Sequence, residues 1–351
     1  MFGERLQTMR KRKGLSLRAL SDRIGNAVSA QALSNYERDE FCPSSDILAK
    51  IADALDTTID RLMARQDIEI APADIRLRKG APLPSREKVQ AVAAITDFLQ
   101  GWHEIEQILD LCPRPFKKPK AIKMAEVESF ATKLRRDWKL GSGPIASMAD
   151  LLEHQGIKVC ALKLPENLFG LHCTAKIKGC GKKISAIIIN RRHNRECRRI
   201  TMAHELFHHL AHCHKNDEKA ARLFAGAFLM PGKHLQAQIG KRRKRIIADE
   251  ILLLKRIYGV SAIEVLLRLN ALGSLDDHAL AYARRTYARQ WQSREPLPMP
   301  DQPEHNPELP SRFRKLCVQA LAEGLISIRK GALLLDISVP EAASIANGRR
   351  P

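Results

Sequence analysis

The sequence predicts a mainly α-helical chain with a small β-sheet, an α+β protein divided into several pieces. Three features carry this expectation. Residues 1–66 hold short apolar periods of helical spacing, each opened by a capping residue. Lys183 to Asn190 (Lys-Ile-Ser-Ala-Ile-Ile-Ile-Asn) is a β-branched run of strand length. Prolines break up the rest: Pro72, Pro82 and Pro84 with Gly80, then Pro113, Pro115 and Pro119, then six between Pro296 and Pro310. The implied division is a helical unit at 1–66 and a linker at 67–123 with a helix at 85–110. A large piece follows at 124–290, then a Pro-rich linker at 291–312 and a helical module at 313–351.

Composition narrows the class. In 351 residues, 44% hydrophobic and 28% charged content suits a chain that buries a real core, so disorder throughout is excluded. Eight cysteines (42, 112, 160, 173, 180, 197, 213, 317) form no Cys-x-x-Cys pair and read as reduced thiols of a cytoplasmic protein. Cys173 and Cys180 bracket an expected hairpin, but their spacing matches no closed metal site. No apolar run reaches the 18 or more residues of a membrane span, and no apolar signal core follows Met1. The net charge of +20 predicts an anionic partner. A surplus of 14 falls between 124 and 270, while 1–66 carries only +2. Two runs dominate, Arg191-Arg192 through Arg198-Arg199 and Lys241-Arg242-Arg243-Lys244-Arg245. Each reads either as a solvated face or as a docking surface for acidic protein or phosphates.

The first unit reads as five short helices. Leu6 and Met9 share a face, and Ser16 caps a second helix, Leu17 to Ile24, which Gly25 stops. Ser29 caps a third, Ala30 to Arg38, with Leu33 and Tyr36 inward. Ser44 or Ser45 opens a fourth with Ile47, Leu48, Ile51 and Leu55 on its core side, and Thr58 caps a fifth ending near Met63. Two short helices joined by a tight glycine turn suit a helix-turn-helix DNA reader. The residues Leu17-x-x-Leu20-Ser21-x-x-Ile24-Gly25, Leu33-Ser34-Asn35-Tyr36-Glu37-Arg38, Pro43 and Leu48-x-x-Ile51-Ala52-x-x-Leu55 resemble the XRE family of phage-repressor-like domains, with a slightly long turn at Asn26-Ala27-Val28. That resemblance implies a double-stranded DNA operator and, as is usual for such repressors, a homodimer. It places Ser29, Gln31, Ser34 and Asn35 of the third helix at the DNA. Gln31 and Asn35 stand four residues apart on one face, and amides can bond adenine bidentately. Arg12, Arg18 and Arg38, with Arg10, Lys11 and Lys13, are expected to contact phosphate. The alternative is a domain of this fold that binds protein.

The chemistry-bearing motif lies at Ile200 to Leu210. His204-Glu205-x-x-His208 on a helix sets two imidazoles one turn apart, about 6 Å in rise, converging on one Zn²⁺. Glu205 is offset from ligation and placed to take a proton from water. A third ligand is needed. His212 would stand about 12 Å along the same axis, too far to close a tetrahedron. The chain must therefore turn back, at His214-Lys215-Asn216-Asp217, into a second helix ending at Met230. There Glu218 shares a face with Ala221, Ala225 and Phe228, so Glu218 is the expected ligand and Asp217 the alternative. His209 and His212 read as outer-sphere or solvent-facing groups.

The block Thr201-Met202-Ala203-His204-Glu205-Leu206-x-His208, then Glu218-x-x-Ala221-x-x-Phe224-Ala225-x-x-Phe228-Leu229-Met230-Pro231, resembles the ImmA/IrrE metallopeptidase family over about 124–290. The resemblance implies one zinc per chain at His204, His208 and Glu218, with Glu205 as base. It also implies a peptidase that cleaves a repressor-like protein, here with an XRE domain ahead of it. The alternative function is a transcription factor or antitoxin-like autoregulator whose zinc domain senses or supports without turnover. The apolar stripe from Val89 to Leu109 is expected to face a core, ahead of a dimer contact. The tail reads as three short helices serving dimerisation or docking, with Arg349-Arg350 its only strongly basic end.

Overall fold

A computed structural model describes residues 2–71, 75–77 (backbone), 84–111, 119–179, 181–291, 294–298 and 308–348. Cys112, Cys180, Arg349-Arg350 and much of the expected linkers fall outside these residues. The first unit comprises α1 (Phe2–Arg12), α2 (Leu17–Arg23), α3 (Ala30–Glu37), α4 (Ser45–Ala54) and α5 (Ile59–Met63). Then come β1 (Ile68–Glu69), β2 (Ile75–Leu77), α6 (Ser85–Ile108) and β3 (Lys120–Ala121). The large piece holds α7 (Val127–Asp137), α8 (Met148–His154), β4 (Lys158–Leu162), β5 (Gly170–Ile177), β6 (Lys183–Asn190), α9 (Arg195–Leu210), β7 (Ala211–His212) and α10 (Asp217–Leu229). It continues through α11 (Gly232–Ile239), α12 (Ala248–Tyr258), α13 (Ala262–Ala271) and α14 (Asp277–Arg285), and the tail supplies α15 (Arg312–Ala322), α16 (Ile328–Leu335) and α17 (Val339–Ala346).

The five-helix unit is closed by the caps its sequence announces. Ser16, Ser29 and Thr58 accept from the backbone N–H groups of Ala19, Ala32 and Arg61. Leu6, Leu20, Leu33, Ile51 and Leu62 are fully buried between the helices. Gly25 and Asn26, both with positive φ, turn the chain from α2 into α3. Arg10 clamps Glu37 bidentately, its Nε and Nη2 donating to the two carboxylate oxygens at 2.5 and 2.8 Å and fixing α1 against α3.

The main sheet runs β1-β5-β6-β4, with β2 also pairing β5. β5 is antiparallel to β6, and β4 is parallel to β6. β6 is covered on both faces. Ile187 and Ile189 join the core beneath α9 and α10, while Ala186 and Ile188 face a second core with Ile95, Leu99 and Trp102 of α6. Burial on both faces explains why this strand reads as an unbroken β-branched run.

Residues 67–123 are thus more than a linker. α6 roofs the sheet, and β1 and β2 extend it. Gln100 on α6 accepts from the N–H groups of both Asp67 and Ile68, fixing β1 in place. Strands of two or three residues carry too little alternation to be read from sequence. The stripe on α6 packs inward as expected, with Ile95, Leu99, Trp102 and Ile105 at the bottom of the second core.

Two of the five arginines in the first basic run are structural. Arg198 and Arg199 are buried; Arg198 bonds the His193 carbonyl, and Arg199 bonds the Ile145 carbonyl and Glu308. Fully buried Lys255 pairs with Glu196 on α9 and, at 2.9 Å, with Glu295. Glu295 and Glu308 thereby pin the ends of the Pro-rich stretch to the sheet domain. The charge count could not see this, because a buried ion pair and a solvated face look alike in composition.

Candidate metal centre

α9 begins at Asn194, whose side chain accepts from the Cys197 N–H, and runs beneath the sheet. It buries Met202, Ala203, Leu206 and Phe207 as well as His204, Glu205 and His208. The helix ends at Leu210, and His212 leaves it as part of β7, a two-residue strand parallel to β3. The chain then turns back into α10. Ala221 and Ala225 are fully buried there, and such small side chains let two helices approach closely.

That approach brings Glu218 to both histidines. Its carboxylate lies 3.3 Å from Nε2 of His204 and 3.6 Å from Nε2 of His208, and the two imidazole nitrogens are 3.3 Å apart. Four donors about 2.05 Å from a zinc ion stand about 3.3 Å from one another at the corners of a tetrahedron. The three side chains therefore fit a single divalent ion, and their donor atoms all lie within 4.8 Å of each other. The hydrogen bonds from His204 and His208 hold the Glu218 carboxyl far below the ordinary carboxylate range. Burial pulls the His208 imidazole down, but Glu218, Glu205 and Asp217 outweigh it and leave the pKa raised. Glu205 sits one residue beyond His204 and is 1% exposed.

Asp217 takes a different place. Its carboxylate lies 3.4 Å from Nδ1 of His208, on the far side of the ring, and accepts from the Cys213 N–H at 2.8 Å. It lies behind His208 and outside the group of three. His209 points away from the centre. Its Nδ1 shares the Ser185 hydroxyl at 2.8 Å with His172 Nε2 at 2.6 Å, linking α9 to β6 and β5. Burial pushes the His209 imidazole down to about 4. No spacing in the sequence announces this chain of three residues.

Gln31, Arg18 and Arg38 are exposed, and Asn35 is half-buried beside them. Gln31 donates to Asn35 at 3.1 Å, and Arg38 donates to Asn35 at 2.7 Å and pairs with Glu40. Ser29 is exposed but serves as the cap of α3, and Ser34 is half-buried. Arg12 departs from the phosphate role expected of it. It reaches Asp97 on α6 at 2.8 Å, so its guanidinium, like that of Arg10, is engaged within the protein. A lone aspartate inside the apolar stripe of α6 was the sequence signal for this contact.

A five-helix unit with a capped second helix of the pair, followed by a His-Glu-x-x-His helix under a mixed sheet, is the arrangement of a helix-turn-helix regulator with a peptidase-like domain. Comparison with known proteins agrees. The helix-turn-helix family model matches residues 6–62, and that of the IrrE N-terminal-like domain matches residues 152–270. The chain is 35% identical over 104 residues to the HTH-type transcriptional regulator AnsR of Bacillus subtilis (strain 168), covering 26% of this chain and 88% of that protein. It is 32% identical over 108 residues to the cryptic phage CTXphi transcriptional repressor RstR of Vibrio cholerae serotype O1, covering 30% of this chain and 94% of that one. No solved structure matches. The chain belongs to the XRE-type helix-turn-helix regulators and carries a domain of the ImmA/IrrE metallopeptidase type.

Proposed function

We propose that the chain binds operator DNA through α3 and hydrolyses a peptide bond in a repressor-like protein at a centre of one zinc per chain, held by His204, His208 and Glu218. The observation that carries the enzymatic half is the donor set, with mutual separations of 3.3 to 3.6 Å. Zinc bound there would polarise a scissile carbonyl and acidify water. Glu205 accepts the proton of the attacking water on its carboxylate and returns it to the leaving nitrogen. Burial of His204, Glu205 and His208 keeps bulk water from competing for these groups, while half-exposed Glu218 marks the open side. The regulatory half is supported by the similarity to AnsR and RstR. The protein acts as a homodimer in the cytoplasm. Among the described residues no helix is long and apolar enough to cross a membrane, and the cysteines described are all free thiols.

The test uses full-length protein incubated with candidate repressors, with and without chelator. Wild type contains one zinc and cleaves; His204→Ala loses the zinc; Glu205→Gln keeps the zinc and loses cleavage. Equal zinc in wild type and His204→Ala refutes the site. Full zinc with no repressor cleaved by wild type favours the sensing or structural role.

A further inference from the structure

A cleft of about 1270 Å³ opens where the helix-turn-helix unit, α6, the end of β4 and the tail helices α15 and α16 meet. No metal-centre residue lines it. Seven cationic side chains line it against four carboxylates. One of these carboxylates, Asp97, is buried and already shared by three guanidiniums, Arg5 at 3.0 Å, Arg12 at 2.8 Å and Arg61 at 2.6 Å. The other cations, Lys163, Arg191, Arg192, Arg314 and Lys315, form no ion pair among the described residues. These five cations face the three remaining carboxylates, Glu87, Asp150 and Asp336, and the positive excess they leave in a concave site attracts an anion.

The cations are held on a prepared frame. Fully buried Asn190 donates to the carbonyls of Leu164, Pro165 and Leu168 and accepts from the N–H groups of Leu164 and Arg192. The Arg191 N–H bonds the Leu162 carbonyl. One asparagine thus locks the loop bearing Lys163 beside the turn bearing Arg191 and Arg192. The opposite wall is aromatic. Phe98 and Phe313 lie 4.8 Å apart, and Phe313 stacks on Trp102 at 5.3 Å. Duplex DNA offers a row of phosphates and nothing for an apolar wall. A small ligand with an anionic group and an apolar body meets both surfaces, in a volume ample for an organic cofactor-sized molecule.

We propose that this cleft binds a small amphipathic organic anion, and that its occupancy reaches the helix-turn-helix unit through Arg12 and Arg61. The binding stands apart from the operator and peptidase readings above. The probe is 8-anilinonaphthalene-1-sulfonate, an aromatic anion whose fluorescence rises in an apolar site, titrated into full-length protein. Wild type binds one probe per chain saturably, and inorganic pyrophosphate displaces it. The double substitution Arg191→Gln/Arg192→Gln weakens binding at least tenfold. Lys163→Gln/Arg314→Gln does so too; all four side chains are exposed, so both variants keep the fold, as an unchanged melting temperature shows. Hydrogen exchange in residues 5–12 and 59–65 slows on saturation in wild type only. Absence of saturable binding, equal binding in the variants, or failure of pyrophosphate to compete overturns the site. Displacement of the probe by a random 20-base-pair duplex overturns it in favour of a DNA-tracking surface. Unchanged exchange overturns the coupling.

Discussion

Asp217 and Glu218, adjacent on the first turn of α10, address opposite nitrogens of the same imidazole: Asp217 lies 3.4 Å from Nδ1 of His208 and Glu218 lies 3.6 Å from its Nε2. In the proposed centre one acid would complete the donor set, and the other would fix the ring that belongs to it. Asp217→Asn is therefore expected to lower metal affinity by about 10- to 100-fold while leaving one metal per chain at saturation. Glu218→Gln removes the carboxylate donor itself and abolishes stoichiometric binding. Competition against a chromophoric chelator separates the two. Identical affinities for the two variants would contradict the division of roles.

On α3, Gln31 and Asn35 already bond each other, and Arg38 bonds Asn35. The two amides are thus already engaged with each other before any base arrives. Asn35→Ala should cost about 1–3 kcal/mol of operator binding and relax preference at one base position. Arg18→Gln should weaken all duplexes alike and lower the salt slope by about 1. Selection of binding sites from a random pool, repeated at two salt concentrations, checks both. Arg12→Gln should leave the salt slope unchanged, since that side chain is spent on Asp97.

Much of this architecture was readable from residue spacing. Strand β6 ends where its β-branched run ends, and the caps Ser16, Ser29 and Thr58 stand where the chain signals them. The grouping of His204, His208 and Glu218 within 4.8 Å follows from helix geometry, which sets His212 too far along the axis and calls for a returning carboxylate. What stayed hidden depends on partners distant in sequence. The burial of Arg199 follows from Glu308 and the Ile145 carbonyl, more than a hundred and more than fifty residues away in opposite directions. The docking of β1 and α6 onto the sheet rests on Gln100 and a two-residue strand, neither of which alters local periodicity.

Asp97 joins the DNA-reading unit to α6 and should dominate their coupling. Burial pushes its carboxyl up, but Arg61, Arg5 and Arg12 pull it below the ordinary value. A lowered folded-state pKa contributes stability that is fully present above the unfolded value of about 3.9 and is lost as pH falls through the folded one. Urea midpoints should therefore hold steady near neutrality and drop below about pH 4, and Asp97→Ala should flatten that part of the drop. At neutral pH Asp97→Ala should cost about 3–5 kcal/mol, because it strands three guanidiniums, two of them largely buried. A loss under 1 kcal/mol would show that solvent reaches the cluster.

Gly170 is where strand β5 crosses the metal helix. A Cβ there would stand 2.5 Å from Cγ2 of Thr201, on α9 one turn before His204, and 2.6 Å from the carbonyl oxygen of Ile188 on β6. The Thr201 methyl can retreat, but the Ile188 carbonyl belongs to the central strand and cannot move without the sheet. Gly170→Ala should therefore lift β5 away from α9 and cost about 1–3 kcal/mol of stability. The histidines ride on the same helix, so metal affinity should fall with it. Adding Thr201→Ser removes one of the two contacts and should restore part of the stability, while the carbonyl contact limits the recovery. Thermal melts of the single and double variants, each with and without zinc, measure this directly. Full recovery in the double variant would place the whole conflict at Thr201 and leave the sheet backbone uninvolved.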